Sequence, residues 1–535
     1  MATVIGLDLG NFNSYPSFIE DLDMENTRLG GKSVDLLPAA VQEGVPSVFF
    51  YTGNGGFLAG RAAVSGAAKP ERNRIRYLKR SLGKPLAVDN KPVVIDGKTW
   101  TYDDAIREVV QSVLREANRE LQHLGIEQTN LVSLAYPATY SSVQRVHLVR
   151  VVESATTENG AHFKVLGTIM EPAAAALDYL VHIDCKKDTT VLVFDLGGGT
   201  FDLSLVTCYP NGKKRRDGTT AYYDIHLSDG LPKVGGCEFD DVVYQLLHAK
   251  MESFLKANGT SMKKIIEDQL RQNAEKIKRE LTDTDRTVYE AYIPALDDSV
   301  PFEVTREEFE NAPKTVEMLK QMTDKARELL SRSAHPRPER IVLTGGSCRM
   351  PMIPKALTKA LPEYAGIIDG INIYKPEKAI SYGAARYGAP EPKSNSPTLE
   401  PTGPSVVIKH AAYDIGIKYR KDKEDQKGFI ECLIPCGTEL PVTSRWSVGE
   451  KLYDGEVSTK RLYEARTKKP DKHEPERDYR FIKSVSVHFG TSVPAGTPSE
   501  FRLLVDKDGG VTLEARKDKN SGLFTETAEV TTAFD

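Results

Sequence analysis

A chain of 535 residues exceeds a single domain on the usual scale of about 100–200 residues each. Its apolar share of 40% and charged share of 27% are those of a globular chain, and a net charge of −4 gives no bias toward nucleic acid or an anionic membrane. Six scattered cysteines exclude a disulfide scaffold and fit a reducing, cytoplasmic setting. Asp8 interrupts the one apolar N-terminal run, so no signal peptide is expected, and no apolar segment is long enough to span a bilayer. Cys432 and Cys436 form a lone C-x3-C with no histidine nearby, short of the four ligands a structural zinc needs.

In chain order, Val4, Ile5, Gly6 and Leu7 read as a buried strand closed by Asp8, after which Gly10 and Asn11 turn the chain. Residues 46–51 and 93–101 read as further strands. From Tyr102 the period changes: Ile106, Val109, Val110, Val113, Leu114, Ala117 and Leu121 make one apolar helical face. Thr101 and Asp104 give that helix a capping-box start. Residues 131–135 read as a strand and residues 171–180 as an alanine-rich helix. Val191, Leu192, Val193 and Phe194 form a second buried strand, again followed by an aspartate, Asp195. Gly197, Gly198 and Gly199 come next, and Leu203, Leu205 and Val206 suit the returning strand. Three glycines permit positive φ and leave a turn bare of side chains, so that phosphates can rest on backbone N–H groups. A glycine-rich hairpin without a ligand reads the same in isolation. The pattern occurs twice, however, and two strand–aspartate–glycine turns suit two similar lobes gripping one polyphosphate.

Residues 210–218 read as a basic, solvated hairpin tip, residues 242–283 as charged helix, and residues 316–331 as another helix. Residues 341–344 lead into a third glycine turn. Residues 390–404 hold five prolines and no apolar period, as an extended linker does. Beyond them the pattern turns to β. Val485, Val487 and Phe489 alternate with polar neighbours, as do Phe501, Leu503 and Val505, then Val511, Leu513 and Ala515. The last two runs flank DKDGG, a hairpin signal. Residues 405–535 are thus expected to form an antiparallel sandwich, with residues 468–478 as a charged surface loop.

The joint pattern resembles the ATPase superfamily of actin, sugar kinases and DnaK-type 70-kDa heat-shock chaperones. GTIMEPAAAALDYL (167–180) and KPEKAISYGAARYGA (375–389) are similar to the two connecting helices of that superfamily, and IVLTGGSCRMP (341–351) to its adenosine motif. AYPATYSSVQR, KVGGCEFDD, LRQNAEKIKREL and YLKRSLGK resemble stretches of the heat-shock branch. The resemblance implies an actin-like α/β fold of two ribonuclease H-like lobes, about 1–185 and 186–389. The linker would then lead to a peptide- or partner-binding β-sandwich over 405–535, without the family's helical lid.

The resemblance also implies the site. Asp8 and Asp195 would hold magnesium, and Glu171 would orient water. Thr200 would meet the terminal phosphate of ATP or ADP. Gly10, Asn11, Phe12, Gly197, Gly198 and Gly199 would bind phosphates, with Gly235 and Gly236 close by. Glu275, Lys278, Arg279 and Thr282 would reach from a helix of the second lobe. Gly345, Gly346, Ser347, Arg349 and Glu377 would hold the adenosine. Two departures bear on hydrolysis: an ungapped count puts Val64 where the family has a catalytic lysine, and Asn11 and Phe12 stand for a threonine pair. Lys69 or Arg61 are the neighbouring charges that count suggests. The implied partners are extended or unfolded polypeptide, a J-domain co-chaperone and a nucleotide-exchange factor. The alternative is a non-hydrolysing, ATP-bound scaffold or co-chaperone subunit.

Overall fold

The strand Ile5–Leu9 lies inside a mixed sheet. Leu131–Tyr136 pairs parallel with it on one side, and Lys164–Met170 lies beyond. Asn13–Glu20 pairs antiparallel on the other side, followed by Lys32–Asp35 and Val45–Pro46. A second sheet repeats this local plan: Thr189–Leu196 runs parallel to Arg340–Thr344 and antiparallel to Phe201–Lys214, with Thr220–Leu231 next. Every residue of Ile5–Leu9 and of Thr189–Leu196 is buried. That is why Ile5–Leu7 and Val191–Phe194, up to the aspartate that closes each, read as continuous rather than alternating apolar runs.

This computed structural model describes residues 3–20, 32–38, 43–65, 73–215, 218, 220–331, 335–368, 373–388, 407–411, 413–419, 428–447, 450–451, 455–465, 470–473, 475–494, 497–506, 510–517 and 522–527. The expected linker, residues 390–404, lies outside them. Packing divides the chain into two units. The first is Met1–Thr139, Val151–Pro210 and Ser228–Pro404, and the second is Tyr140–Arg150, Asn211–Leu227 and Ser405–Asp535.

In the first unit, the helix Tyr102–His123 begins with the capping box read from the sequence. The Asp104 N–H donates to Thr101 Oγ1, and the Thr101 N–H donates to Asp104 Oδ2 at 2.9 Å. All seven apolar residues of its predicted face are buried. Burying each of the valine, isoleucine and leucine side chains among them stabilises the fold by about 1.5–3 kcal/mol. The charged stretch expected over 242–283 is two helices, Gly236–Ala257 and Lys264–Asp283, broken after Asn258 where Gly259 turns at φ +66°. Glu171–His182 packs against Ala379–Gly388. A Cβ on Gly383 would lie 1.8 Å from the Ala174 carbonyl oxygen, so small residues on both helices set this close approach. The pair is fixed by buried Asp178, which accepts from Arg386 Nε at 3.0 Å and Lys375 Nζ at 2.9 Å. No helix among the described residues is long and apolar enough to cross a membrane.

The second unit is mostly strands, joined by part of the helix Ser142–Ser154 and the short helix Pro475–Asp478. One sheet orders Phe429–Ile434, Ile415–Tyr419, Gly455–Ala465 and Tyr479–Val493. The other orders Val442–Thr443, Pro498–Val505, Val511–Arg516 and Phe524–Thr527. One apolar core draws on both sheets, joining Ile417, Leu462, Val485, Val487 and Phe489 to Phe501, Leu503, Val505 and Leu513. The alternation read from the sequence is therefore the inward face of these strands. Val505 pairs with Val511 across the predicted hairpin. In the same unit, Val407–His410 runs parallel to the strand at Tyr223 and Asp224, and antiparallel to Glu439–Leu440.

Candidate functional site

Asp8 and Asp195 occupy equivalent places, each one residue before the end of its strand, with Gly10 and Gly197 just beyond. Both carboxylates line one cleft of about 1500 Å³ in the first unit. Glu171, at the start of its helix, and Thr200, at the end of the glycine turn, line it too. So does Lys79, which the sequence reading did not assign. Lys79 comes from the short helical turn Leu78–Ser81. Its buried Nζ donates to Glu171 Oε1 at 2.7 Å and to the Leu9 carbonyl at 2.5 Å. Val64 is instead on the four-residue helix Arg61–Val64, 36% exposed and away from the cleft lining. Arg61 is turned to Glu116, at 3.0 Å, and Lys69 lies outside the described residues. The missing lysine at position 64 therefore does not leave the cleft without one.

Around the two aspartates the carboxylates are crowded, with Lys79 as the opposing charge. Burial pushes the Asp8 carboxyl up to about 8, aided by the charge of Glu171 and opposed by Lys79. Asp195 is held well above the ordinary carboxylate range, first by burial and then by Asp202, Glu171 and Asp8. Burial and Glu171 raise Asp202 to about 7. Asp195 Oδ1 is buried with no hydrogen-bond partner among the described residues. Carboxylates crowded this way favour their neutral form unless a cation joins them. The donor set suits a hard, oxygen-seeking divalent ion.

The glycine turn has a different cause from the one read in the sequence. None of Gly197, Gly198 and Gly199 has positive φ. What excludes side chains there is space. A Cβ on Gly198 would lie 1.9 Å from the Phe12 ring, and one on Gly199 would lie 2.2 Å from Asn11 Nδ2. Phe12 also meets the Tyr77 ring edge-on, with centroids 5.1 Å apart. Phe12 and Asn11 thus pack directly on Gly198 and Gly199, and all four line the cleft together with Gly10 and Gly197. Gly235 and Gly236 do not line the cleft. They back the turn: the Gly236 and Cys237 N–H groups donate to the Gly197 and Gly198 carbonyls, both at 2.9 Å. Arg80 holds the turn from the side, donating to the Gly199 carbonyl and, through two nitrogens, to Glu238 at 2.6 and 2.9 Å.

The other wall comes from the third glycine turn and one helix. Gly345 has φ +82°, and a Cβ there would meet Asp195 Oδ1 at 2.6 Å, so this position does require glycine. Gly345, Gly346, Ser347, Arg349 and Glu377 all line the cleft. Ser347 Oγ donates to the Gly197 carbonyl at 3.2 Å, and the half-exposed Arg349 guanidinium pairs with Glu377 at 2.7 Å. Glu275, Lys278, Arg279 and Thr282 line the cleft from Lys264–Asp283. The Lys278 ammonium is committed to the protein, 2.6 Å from Asp240 and 3.0 Å from the Gly236 carbonyl. Lys355 and Lys359 add cations at the lining that the sequence reading did not name. Lys79 is nonetheless legible in the sequence, because it is the first of the two lysines of the YLKRSLGK stretch. The family model described as Hsp70 protein matches residues 4–390, which include every residue of this cleft.

Proposed function

The chain belongs to the Hsp70 family, and on that premise we propose that its cleft binds ATP and magnesium and couples nucleotide state to polypeptide binding by the C-terminal strands. The family is one of ATP-binding chaperones whose members take ATP or ADP with magnesium and act on polypeptides with co-chaperones. The architecture in this reading is two actin-like lobes, about 1–185 and 186–389, a linker at 390–404 and a β-sandwich over 405–535. A J-domain co-chaperone and an exchange factor belong to the same reading.

The observation that carries it is the convergence of Asp8, Asp195, Glu171 and Lys79, with one Asp195 oxygen left orphaned. Asp8 and Asp195 are the residues that would hold magnesium, which when bound supplies charge neutralisation for the phosphates. The turn at Gly197, Gly198 and Gly199 has no side chains of its own, so its backbone would be offered to phosphate oxygens beside Asn11 and Phe12. Thr200 places a hydroxyl at the end of that turn. Glu171 orients water and can take a proton, and Lys79 holds Glu171 in place while presenting a fixed positive charge. Family membership extends this reading beyond a generic nucleotide cleft.

A second reading, a non-hydrolysing ATP- or ADP-bound scaffold, is favoured by Phe12 and Asn11. Their side chains rest on Gly198 and Gly199, the surface a terminal phosphate would use.

Single-turnover hydrolysis measured beside nucleotide affinity separates the two. The chaperone reading expects turnover in the unmodified chain and a fall of about 10²- to 10³-fold in Lys79→Met, the loss typical of one electrostatic stabiliser. Affinity should change far less. Tight binding with no turnover, followed by turnover in Phe12→Thr, would favour the scaffold reading. Neither binding nor turnover would end both.

A further inference from the structure

A second cluster of charged and ligating side chains lies in the second unit. Asp224 and His226 are two apart on Thr220–Leu231, so they share one face of that strand. Val407–His410 runs parallel alongside, with Asp224 opposite Ile408. Continuing that register brings His410 level with His226. The two imidazole rings are nearly parallel, 6.3 Å between centroids. One donor atom from each of the three residues lies within 4.8 Å of the others. Asp224 Oδ1 is the shared neighbour, 2.7 Å from His410 Nε2 and 3.6 Å from His226 Nδ1. Asp224 and His226 are buried, and the His410 side chain is 18% exposed.

The outer partners orient this set. His410 Nδ1 is 2.9 Å from the Gly437 carbonyl. A carbonyl only accepts, so Nδ1 carries a hydrogen and Nε2 is the atom turned to Asp224. Lys213 Nζ donates to Asp224 Oδ2 at 2.7 Å and leaves Oδ1 facing the imidazoles. A backbone carbonyl behind a histidine and a donor behind a carboxylate are the arrangement that fixes ligands around a metal.

We propose that Asp224, His226 and His410 bind one divalent transition-metal ion of the zinc class, tying the strand Val407–His410 to the strand Thr220–Leu231. Two imidazoles and one carboxylate suit zinc or cobalt rather than magnesium or calcium, which prefer all-oxygen sets. Water fills the fourth position of a tetrahedral ion. With bonds of about 2.0–2.1 Å, tetrahedral ligands stand about 3.3 Å apart. The Asp224–His226 separation of 3.6 Å is near that already. The 2.7 Å contact between Asp224 and His410, which holds a proton in the metal-free chain, opens slightly as the ion replaces that proton.

The test uses the full chain, stripped with a chelator and titrated with Co²⁺ and then Zn²⁺. The expected result is one Co²⁺ per chain with the intense visible absorption of a four-coordinate site, displaced by Zn²⁺ and separate from the weak absorption of any ion held by the carboxylates of Asp8 and Asp195. His410→Ala and His226→Gln should each weaken binding by about tenfold or more while circular dichroism stays unchanged. Asp195→Asn should leave that absorption unchanged. Failure of the unmodified chain to bind one ion overturns the proposal with no variant needed. Undiminished binding in a folded histidine variant, or loss in Asp195→Asn instead, also overturns it.

Discussion

Asp8 and Asp224 are both buried aspartates, and burial is the first influence on each. Yet Asp8 is pushed up to about 8 and Asp224 is drawn down to about 2. The difference lies in what the chain provides beside them. Around Asp8 stand further carboxylates and one opposing lysine, Lys79. Around Asp224 the His410 hydrogen bond, His226 and Lys213 together outweigh burial. A buried acid left short of counter-charge by its own chain is waiting for a cation from outside; one surrounded by donors contributes to stability as it stands. The two sites should therefore respond to the same substitution with opposite sign.

The largest expected effects come from removing one carboxylate at each place. Asp195→Asn should weaken magnesium-dependent ATP binding by about 100-fold or more, the scale of a broken buried charge contact. It should also stabilise the ligand-free first unit, by relieving repulsion from Asp202, Glu171 and Asp8. Asp224→Asn should destabilise the second unit by about 1–3 kcal/mol. That figure is below the loss for a fully buried pair because Lys213 is 43% exposed. The two tryptophans make the units separable: Trp100 lies in the first unit and Trp446 in the second, stacked against Arg502 and Arg516. Urea unfolding followed in single-tryptophan variants reads each unit alone. Destabilisation of both units would erase the contrast between them.

The same contrast appears in pH dependence. Asp8 binds its proton more tightly in the folded chain, at about 8, than its ordinary 3.8, so the ligand-free first unit should lose stability as pH rises from 3.8 to 8. Asp8→Asn should flatten that slope, and saturating magnesium–ATP should oppose it. Asp224, drawn to about 2, contributes stability that is present above 3.8 and lost as pH falls toward 2. A first unit whose stability is level between pH 4 and pH 8 would contradict the crowding assigned to its cleft.

How much of this the sequence discloses follows from what its patterns encode. Alternation at Val485, Val487 and Phe489 encodes which face is buried, and those residues are buried. The 3.6-residue period from Ile106 to Leu121 does the same for its helix. Neither pattern says where a polar side chain on a short turn points, so the role of Lys79 is not legible in them and an ungapped count leads to Val64 instead. Counting along a chain assumes that a charge arrives from the same position, whereas a cleft can receive it from another element. The glycine turn shows a related limit. Its composition is legible, but its reason, contact with Phe12 and Asn11, depends on residues about 186 positions earlier in the chain. Asp224 and His410 are likewise 186 residues apart, and no local spacing links them.

The smallest expected effect concerns the second unit's own buried charge. Lys460, on Gly455–Ala465, is buried with Nζ 4.5 Å from the Phe501 ring and 5.6 Å from Tyr419. Burial lowers its pKa from 10.5 to about 8, although the aromatic faces attract the cation. Methionine has a similar reach and no charge to desolvate. Lys460→Met should therefore stabilise the second unit at pH 7 by about 1–2 kcal/mol, at the low end for replacing a buried charge with an apolar side chain. The pH dependence separates this cause from better packing. The folded chain gives up the Lys460 proton at about 8 and the unfolded chain at 10.5, so stability of the unmodified chain rises across that window. The variant lacks that contribution, and its advantage should shrink steadily between those values. Trp446 fluorescence during urea unfolding at pH 7, 9 and 10.5 would follow the gap. A constant gap would mean that methionine acts by packing, and that Lys460 carries no desolvation penalty comparable to the one acting on Asp8.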